Sequence, residues 1–297
     1  MNANLNPANL LELTGGIQPR RLVSLVPSLT ESIFDLGLGE HLCAVTDYCV
    51  HPQEFTAALE KVGGPKTPAV ERIILLQPAL VLANQEENSR QAVEALEDAG
   101  IKVWLSFPKT VYEALDVLWK LVQLYPENAA VSKLRLLNTV VDWSREGLPE
   151  QGVRYFCPIW TDQTSQGPRW WMTFNQHTYA NDVLRLCGGV NVFADRARRY
   201  PLEADLGTAQ AEHPADRDTR YPRLSLGEII QADPQVVLLP SEPFAFDQTH
   251  LVEMGELLKE TSAGQEGRIY PVDGSLITWH GTRVGKALQE LPQYFVT

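Results

Sequence analysis

Basic residues are scarce in this 297-residue chain: 25 Lys and Arg stand against 37 Asp and Glu, a formal charge of −12. A nucleic-acid binder neutralises phosphates with a basic surface, and attraction to anionic lipid likewise needs Lys and Arg clusters. The charge balance disfavours both classes. Long apolar runs are missing too, for no stretch approaches the ~18 uninterrupted apolar residues of a membrane-spanning helix. Only four cysteines occur, Cys43, Cys49, Cys157 and Cys187, with no CxxC pair among them. They share no zinc-site spacing with histidine and read as buried or half-buried thiols. A Cys43–Cys49 disulfide is open only to an exported chain.

Catalytic signatures are equally thin. There is no Walker-type phosphate loop, and Gly188-Gly189 follows a helical pattern instead of opening one. Neither a GxSxG elbow nor an HExxH motif occurs. The one enzymatic arrangement left open sets Glu86, Glu87, Glu242 and His280 as acid/base groups, with no nucleophile or cofactor motif beside them. The expectation is therefore a protein that is not an enzyme and carries no cofactor of its own. The opening MNANLNPANLLELTGG lacks the basic start and apolar core of a secretory leader. That leaves the compartment open between the cytoplasm and an exported protein whose leader precedes this chain.

What is present is a globular composition, 44% hydrophobic and 21% charged, at a length suited to about two domains of ~150 residues. Short apolar, β-branched runs alternate with amphipathic stretches. Strands are expected at 22–26, 42–45, 81–83, 103–105, 153–159, 170–174, 236–239 and 268–272. Helices are expected at 28–34, 70–76, 87–98, 109–125, 178–187, 225–231, 249–260 and 282–291. Ser28 is the expected N-cap of the first helix, with Glu31 three residues on. Continuous apolar strands alternating with helices specify parallel, helix-covered sheets.

Over 127–147 the apolar residues Ala130, Leu134, Leu137 and Val141 repeat at helical spacing, predicting one helix of about 30 Å. The halves on either side resemble each other. Glu71 to Pro78 runs into Leu80-Val81-Leu82, and Glu228 to Pro234 runs into Val236-Val237-Leu238-Leu239. The implied fold is α/β: two Rossmann-like lobes with parallel sheets, bridged by one long helix, and a ligand cleft between the lobes. The divisions are an N-terminal extension over 1–20, a first lobe over 21–125, the bridging helix over 126–148 and a second lobe over 149–297. Residues 202–222, with five acids against two arginines, break the pattern as a polar surface insertion.

In open α/β sheets ligands sit beyond the carboxyl ends of the strands. Those ends carry Pro27-Ser28, Asp47-Tyr48, the run Asn84 to Asn88 and Phe107-Pro108. In the second half they carry Trp160, Tyr179, Ser241-Glu242-Pro243-Phe244 and the segment Thr278 to Arg283. Aromatic rings with sparse polar groups suit a large, flat, partly apolar ligand. The candidate contacts are Tyr48, Glu86, Glu87, Asn88, Trp160, Tyr179, Glu242, Trp279, His280 and Arg283. No metal site is expected beyond a marginal case for His280. Trp104 and Trp119 read as core, and at most one of Trp170 and Trp171 can face a ligand.

Four colinear segments, 21–52, 62–88, 184–195 and 224–244, resemble the class III, helical-backbone substrate-binding proteins of ABC importers, and most closely their cobalamin-binding branch. The likeness spans nearly the whole chain apart from 202–222. It implies two α/β lobes bridged by a helix, a monomer, and a ligand that is a corrinoid, a haem or a ferric siderophore. It also implies an extracytoplasmic location and docking of a glutamate from each lobe onto an ABC transporter permease. Glu71 and Glu228 match those glutamates. Tyr48, Trp160 and Trp279 match or neighbour the branch's aromatic contacts. Two of its tryptophans are replaced here, by Asn84 and by Gly-Pro-Lys-Thr at 64–67. A cytoplasmic corrinoid-handling protein with the same fold is the other reading.

Overall fold

The computed structural model describes residues 10–125, 129–163, 167 and 169–296. Two compact units divide the chain. One holds the chain up to Val140 together with Trp279–Arg283, the other Val141–Thr278 together with the chain from Val284 onward. The sequence reading assigned all of 149–297 to the second lobe. The return of 279–283 to the first unit corrects it, for reasons seen below in the anchoring of those five residues.

The first unit is built on a five-stranded sheet of β1 (Leu22–Ser24), β2 (Leu42–Val45), β3 (Glu60–Lys61), β4 (Leu80–Asn84) and β5 (Val103–Ser106). Every pairing is parallel and the order is β3-β2-β1-β4-β5. Aliphatic strands suit this setting because helices cover both faces. Val23, Ala44, Val81 and Val103 form a buried cluster with Ile73, Val93 and Leu96 of the flanking helices. The helices begin where the sequence supplies caps. Ser89 accepts from the Ala92 N–H to open Arg90–Asp98, and Thr110 with Glu113 forms a capping box ahead of Val111–Gln123. The first helix differs from expectation. It runs Pro27–Asp35 with Val26 as its N-cap, and no side chain caps it. Proline at the first position needs no N–H partner, and Glu31 is engaged elsewhere.

The second unit adds β6 (Val153–Phe156), β7 (Trp160–Gln163), β8 (Arg169–Met172), β9 (Gly189–Asn191), β10 (Arg223–Leu224), β11 (Val236–Pro240) and β12 (Ile269–Val272). A parallel sheet has the order β12-β11-β6-β9, and a separate antiparallel sheet the order β10-β8-β7. The antiparallel sheet was not legible in the sequence. It divides the expected strand 153–159 from Trp160, and both Trp170 and Trp171 are buried in it, Trp171 within the unit's core.

The internal likeness is real at the backbone. Helix Val70–Leu76 ends on Gln77 and helix Leu226–Ala232 on Asp233, both left-handed. A proline follows each, and then a fully buried strand, β4 or β11. A residue before proline is kept out of the helical region, so each helix stops at the same point. The long helix is Ala130–Glu146, 17 residues or about 26 Å. It carries the chain from the first unit into the second, the boundary falling at Val140–Val141. The expected start at 127 lies outside the described residues. No helix among the described residues is long and apolar enough to cross a membrane.

All four cysteines are free thiols, which removes the Cys43–Cys49 pairing. Cys43 Sγ donates to the Leu22 carbonyl at 3.2 Å, while Cys49 Sγ takes a hydrogen bond from Thr30 Oγ1 at 3.2 Å. Burial pushes the Cys49 thiol pKa up.

Candidate functional site

In the first unit the strand order reverses between β1 and β4, the place where open α/β sheets leave a crevice beyond their carboxyl ends. Trp279–Arg283 is inserted there. Asn84, the last residue of β4, brings its amide nitrogen to 3.1 Å from His280 Nε2. The amide donates, so the ring proton resides on Nδ1. His280 is 5% exposed, and burial lowers its pKa to about 4. The imidazole is therefore neutral near pH 7, and Glu87 Oε1, 4.0 Å away, forms no ion pair with it there.

The rest of the segment is fastened to helix Pro27–Asp35. Gly281 has φ +116, and a Cβ on it would lie 2.2 Å from Ser32 Oγ. Thr282 donates its N–H to Ser32 Oγ at 3.0 Å and its hydroxyl to Asp35 Oδ2 at 2.6 Å. Arg283 Nε donates to Glu31 Oε2 at 2.7 Å. The Arg283 guanidinium lies 4.6 Å from the Trp279 ring centroid, and His51 meets the same indole edge-on at 5.8 Å. These contacts fix the half-buried Trp279 ring in place. Glu31, Ser32 and Asp35 anchor the segment, and sequence reasoning missed them in that role. Partners some 250 residues apart leave no local signal.

Tyr48, in the loop after β2, is 65% exposed. Glu86 and Glu87 are half-buried in the loop after β4, where Lys66 donates to the Glu86 carbonyl. Asn88 has a different role from the one expected. Its Nδ2 donates to the Leu25 and Pro65 carbonyls and its Oδ1 accepts the Asn84 N–H. It is buried and ties the loop to the sheet, leaving no polar atom for a ligand.

In the second unit Trp160 opens β7 and is 43% exposed. Its ring meets Phe244 edge to face at 5.5 Å, and Phe244 packs against Phe246 and His250. Glu242 follows β11, its Oε1 accepting from Thr278 Oγ1 at 3.0 Å. Gly274 approaches so closely that a Cβ would lie 2.5 Å from the Glu242 carbonyl oxygen. Tyr179 departs from the sequence reading. It is the first residue of helix Tyr179–Leu186, 4% exposed, and burial drives its pKa upward, so its ring is core and not a ligand surface.

Glu71 and Glu228 both lie in first helical turns, in different surroundings. Glu71 is exposed. Glu228 forms a capping box with Ser225 and pairs with Arg196 at 3.2 Å. Among the described residues no three His, Cys, Asp or Glu side chains assemble as a metal-holding group. His280 is unsuited to direct ligation, since its Nε2 is taken by Asn84 inside the unit.

Residues 22–276 match the family model described as periplasmic binding protein, and the chain belongs to that family of binding proteins. Among its relatives, a vitamin B12-binding protein of Vibrio cholerae is 26% identical over 280 residues, 92% of this chain and 88% of that protein. A vitamin B12-binding protein of Yersinia pestis is 33% identical over 186 residues, 61% of this chain and 62% of the relative. In fold, the crystal structure of the periplasmic vitamin B12 binding protein BtuF of Vibrio cholerae matches with a TM-score of 0.68 at 24% identity. The match covers 94% of this chain and 97% of that one. The periplasmic heme binding protein HutB of the same organism matches with a TM-score of 0.69 at 20% identity, covering 92% and 97%.

Proposed function

We propose that the chain is an extracytoplasmic receptor that captures a metal-centred macrocycle, a corrinoid of the vitamin B12 type, and delivers it unaltered to the permease of an ABC importer. The observation that carries this reading is the returned segment. Five residues from the far end of the chain are pinned at the strand-order reversal of the first unit, and they hold an indole beside exposed polar loops. Trp279 and Tyr48 supply ring faces and Glu86 and Glu87 supply hydrogen-bond acceptors. Trp160 is an exposed ring of the second unit. Ring area with sparse polar groups is what a large flat ligand requires. Similarity to vitamin B12-binding relatives along most of the chain supports the corrinoid.

Haem is the second reading, favoured by Asn84. The vitamin-binding branch resembled in the sequence has a tryptophan there, and the asparagine fixes the returned segment without offering a ring. Non-catalytic binding is favoured over acid/base chemistry because His280 is buried, that burial lowers its basicity, and its Nε2 already accepts from Asn84. Glu71 and Glu228 are the proposed permease contacts.

Titration of intrinsic tryptophan fluorescence with cyanocobalamin, haemin and a ferric siderophore tests the reading. One of them should quench with a dissociation constant in the micromolar range or below. Trp279→Ala should weaken that ligand about tenfold, the order of one aromatic contact. No binding tighter than ~1 mM, about 4 kcal/mol, would refute the receptor.

A further inference from the structure

The second unit contains a cavity of about 260 Å³ at the carboxyl ends of β11 and β12. Ser241 and Asp273, the residues that follow those strands, lie on its wall. None of the proposed macrocycle contacts lines it. Its volume falls just under the ~300–1,000 Å³ of pockets for drug-sized ligands, which suits a molecule of one ring or a short chain.

The wall has two characters. Phe246, Leu276 and Leu291 give it an apolar side, and all three are buried. Asp273, Glu290 and Tyr294 give it a polar one. Asp273 is held in place by Ser275, whose N–H and hydroxyl donate to its Oδ1 at 3.0 and 2.6 Å. Glu290 is the last residue of helix Val284–Glu290. Burial and the neighbouring Glu290 carboxylate raise the Tyr294 pKa, so the phenol stays neutral beside it. The protein itself already brings an alkylammonium to these carboxylates. Lys286 Nζ stands 4.0 Å from Asp273 Oδ2 and 3.8 Å from Glu290 Oε1. Both separations exceed hydrogen-bond length, and the lysine is half exposed and not part of the wall. Such loose, solvated pairs contribute little, and two carboxylates against one ammonium leave a negative charge on the cavity's polar side.

We propose that this cavity is a binding site for a small primary amine, its ammonium set between Asp273 and Glu290 and its apolar body against Phe246, Leu276 and Leu291. The chain's charge of −12 favours the approach of a cation. Burial of the apolar body is what separates this ligand from a counterion. The site is distinct from the macrocycle surface and does not rest on the receptor reading.

The test is a titration with phenethylamine followed by backbone amide NMR shifts. The control probes are 2-phenylethanol, which lacks the charge, and methylammonium, which lacks the ring. Phenethylamine should saturate with a dissociation constant below ~1 mM and shift the amides of Ser241, Asp273, Leu276 and Glu290. Each control should bind about fivefold more weakly or worse. Glu290→Gln, which keeps the shape, should weaken phenethylamine about threefold to fivefold. Lys286→Ala, which removes the competing ammonium, should tighten it about twofold, and Trp279→Ala should leave it unchanged. Methylammonium binding as well as phenethylamine would show a counterion effect only and overturn the proposal. So would equal binding of 2-phenylethanol, shifts confined to other residues, or an affinity that neither Glu290→Gln nor Lys286→Ala moves. The wild-type probe series decides the matter even if Glu290→Gln does not fold.

Discussion

Acidification should weaken the first unit through His280, and the size of the effect follows from its burial. The imidazole has a native pKa of about 4, against about 6.5 in an unfolded chain. The native state therefore refuses a proton that the unfolded state accepts. Stability is complete above the unfolded value and is lost as pH falls from about 6.5 toward 4. The linkage relation gives a loss of about 2 kcal/mol between pH 7 and pH 5, a large part of the 5–15 kcal/mol typical of a folded domain. Other carboxylates also titrate near pH 5, so the comparison is with His280→Gln, which keeps a hydrogen-bonding group and cannot protonate in this range. Urea denaturation followed by circular dichroism at pH 7, 6 and 5 measures the difference. The variant should start less stable, because packing and the Asn84 contact are disturbed, and should lose about 2 kcal/mol less than wild type on acidification. Parallel pH dependences would refute the reasoning and show that the ring is hydrated or already charged.

Asp205→Ala leaves the buried Arg223 without its carboxylate partner and, among the described residues, Arg196 with Glu228 alone. It should destabilise by about 3–5 kcal/mol, the scale of a broken buried ion pair, read as a shift in urea midpoint. Gly281→Ala forces a side chain into a left-handed backbone and onto Ser32, and should cost about 1–3 kcal/mol and weaken ligand binding with it. Glu71→Lys should leave ligand affinity unchanged and reduce uptake severalfold in cells. Glu228→Lys should reduce uptake too, with an added loss of thermal midpoint because Arg196 loses a partner.

Much of the architecture was legible because its determinants are local. Helix Val70–Leu76 and β4, like helix Leu226–Ala232 and β11, announce themselves by an apolar run, a proline and a second apolar run. Ala130, Leu134 and Val141 give the long helix its buried stripe. Strands of two or three residues such as β3, β9 and β10 carry no periodicity, and β7 was missed although its partner β8 was expected at 170–174. Of the candidate contacts, Tyr48 and Trp160 are exposed and Trp279 is half-buried, rings that the sequence already sets outside the apolar runs. Asn88 and Tyr179 were not separable from ligand contacts, since a buried asparagine that ties down a loop and a buried tyrosine in a first helical turn look the same in sequence. The capture of His280 by Asn84 and of Arg283 by Glu31 is a tertiary fact. Glu31 even reads locally as half of a capping box that does not form.

Native mass spectrometry of the purified protein mixed with cyanocobalamin and with haemin addresses the central claim most directly. The account predicts a one-to-one complex whose added mass equals that of one of the two ligands, recovered chemically unchanged on release. Bare protein under all conditions, or a ligand released with altered mass, would contradict it.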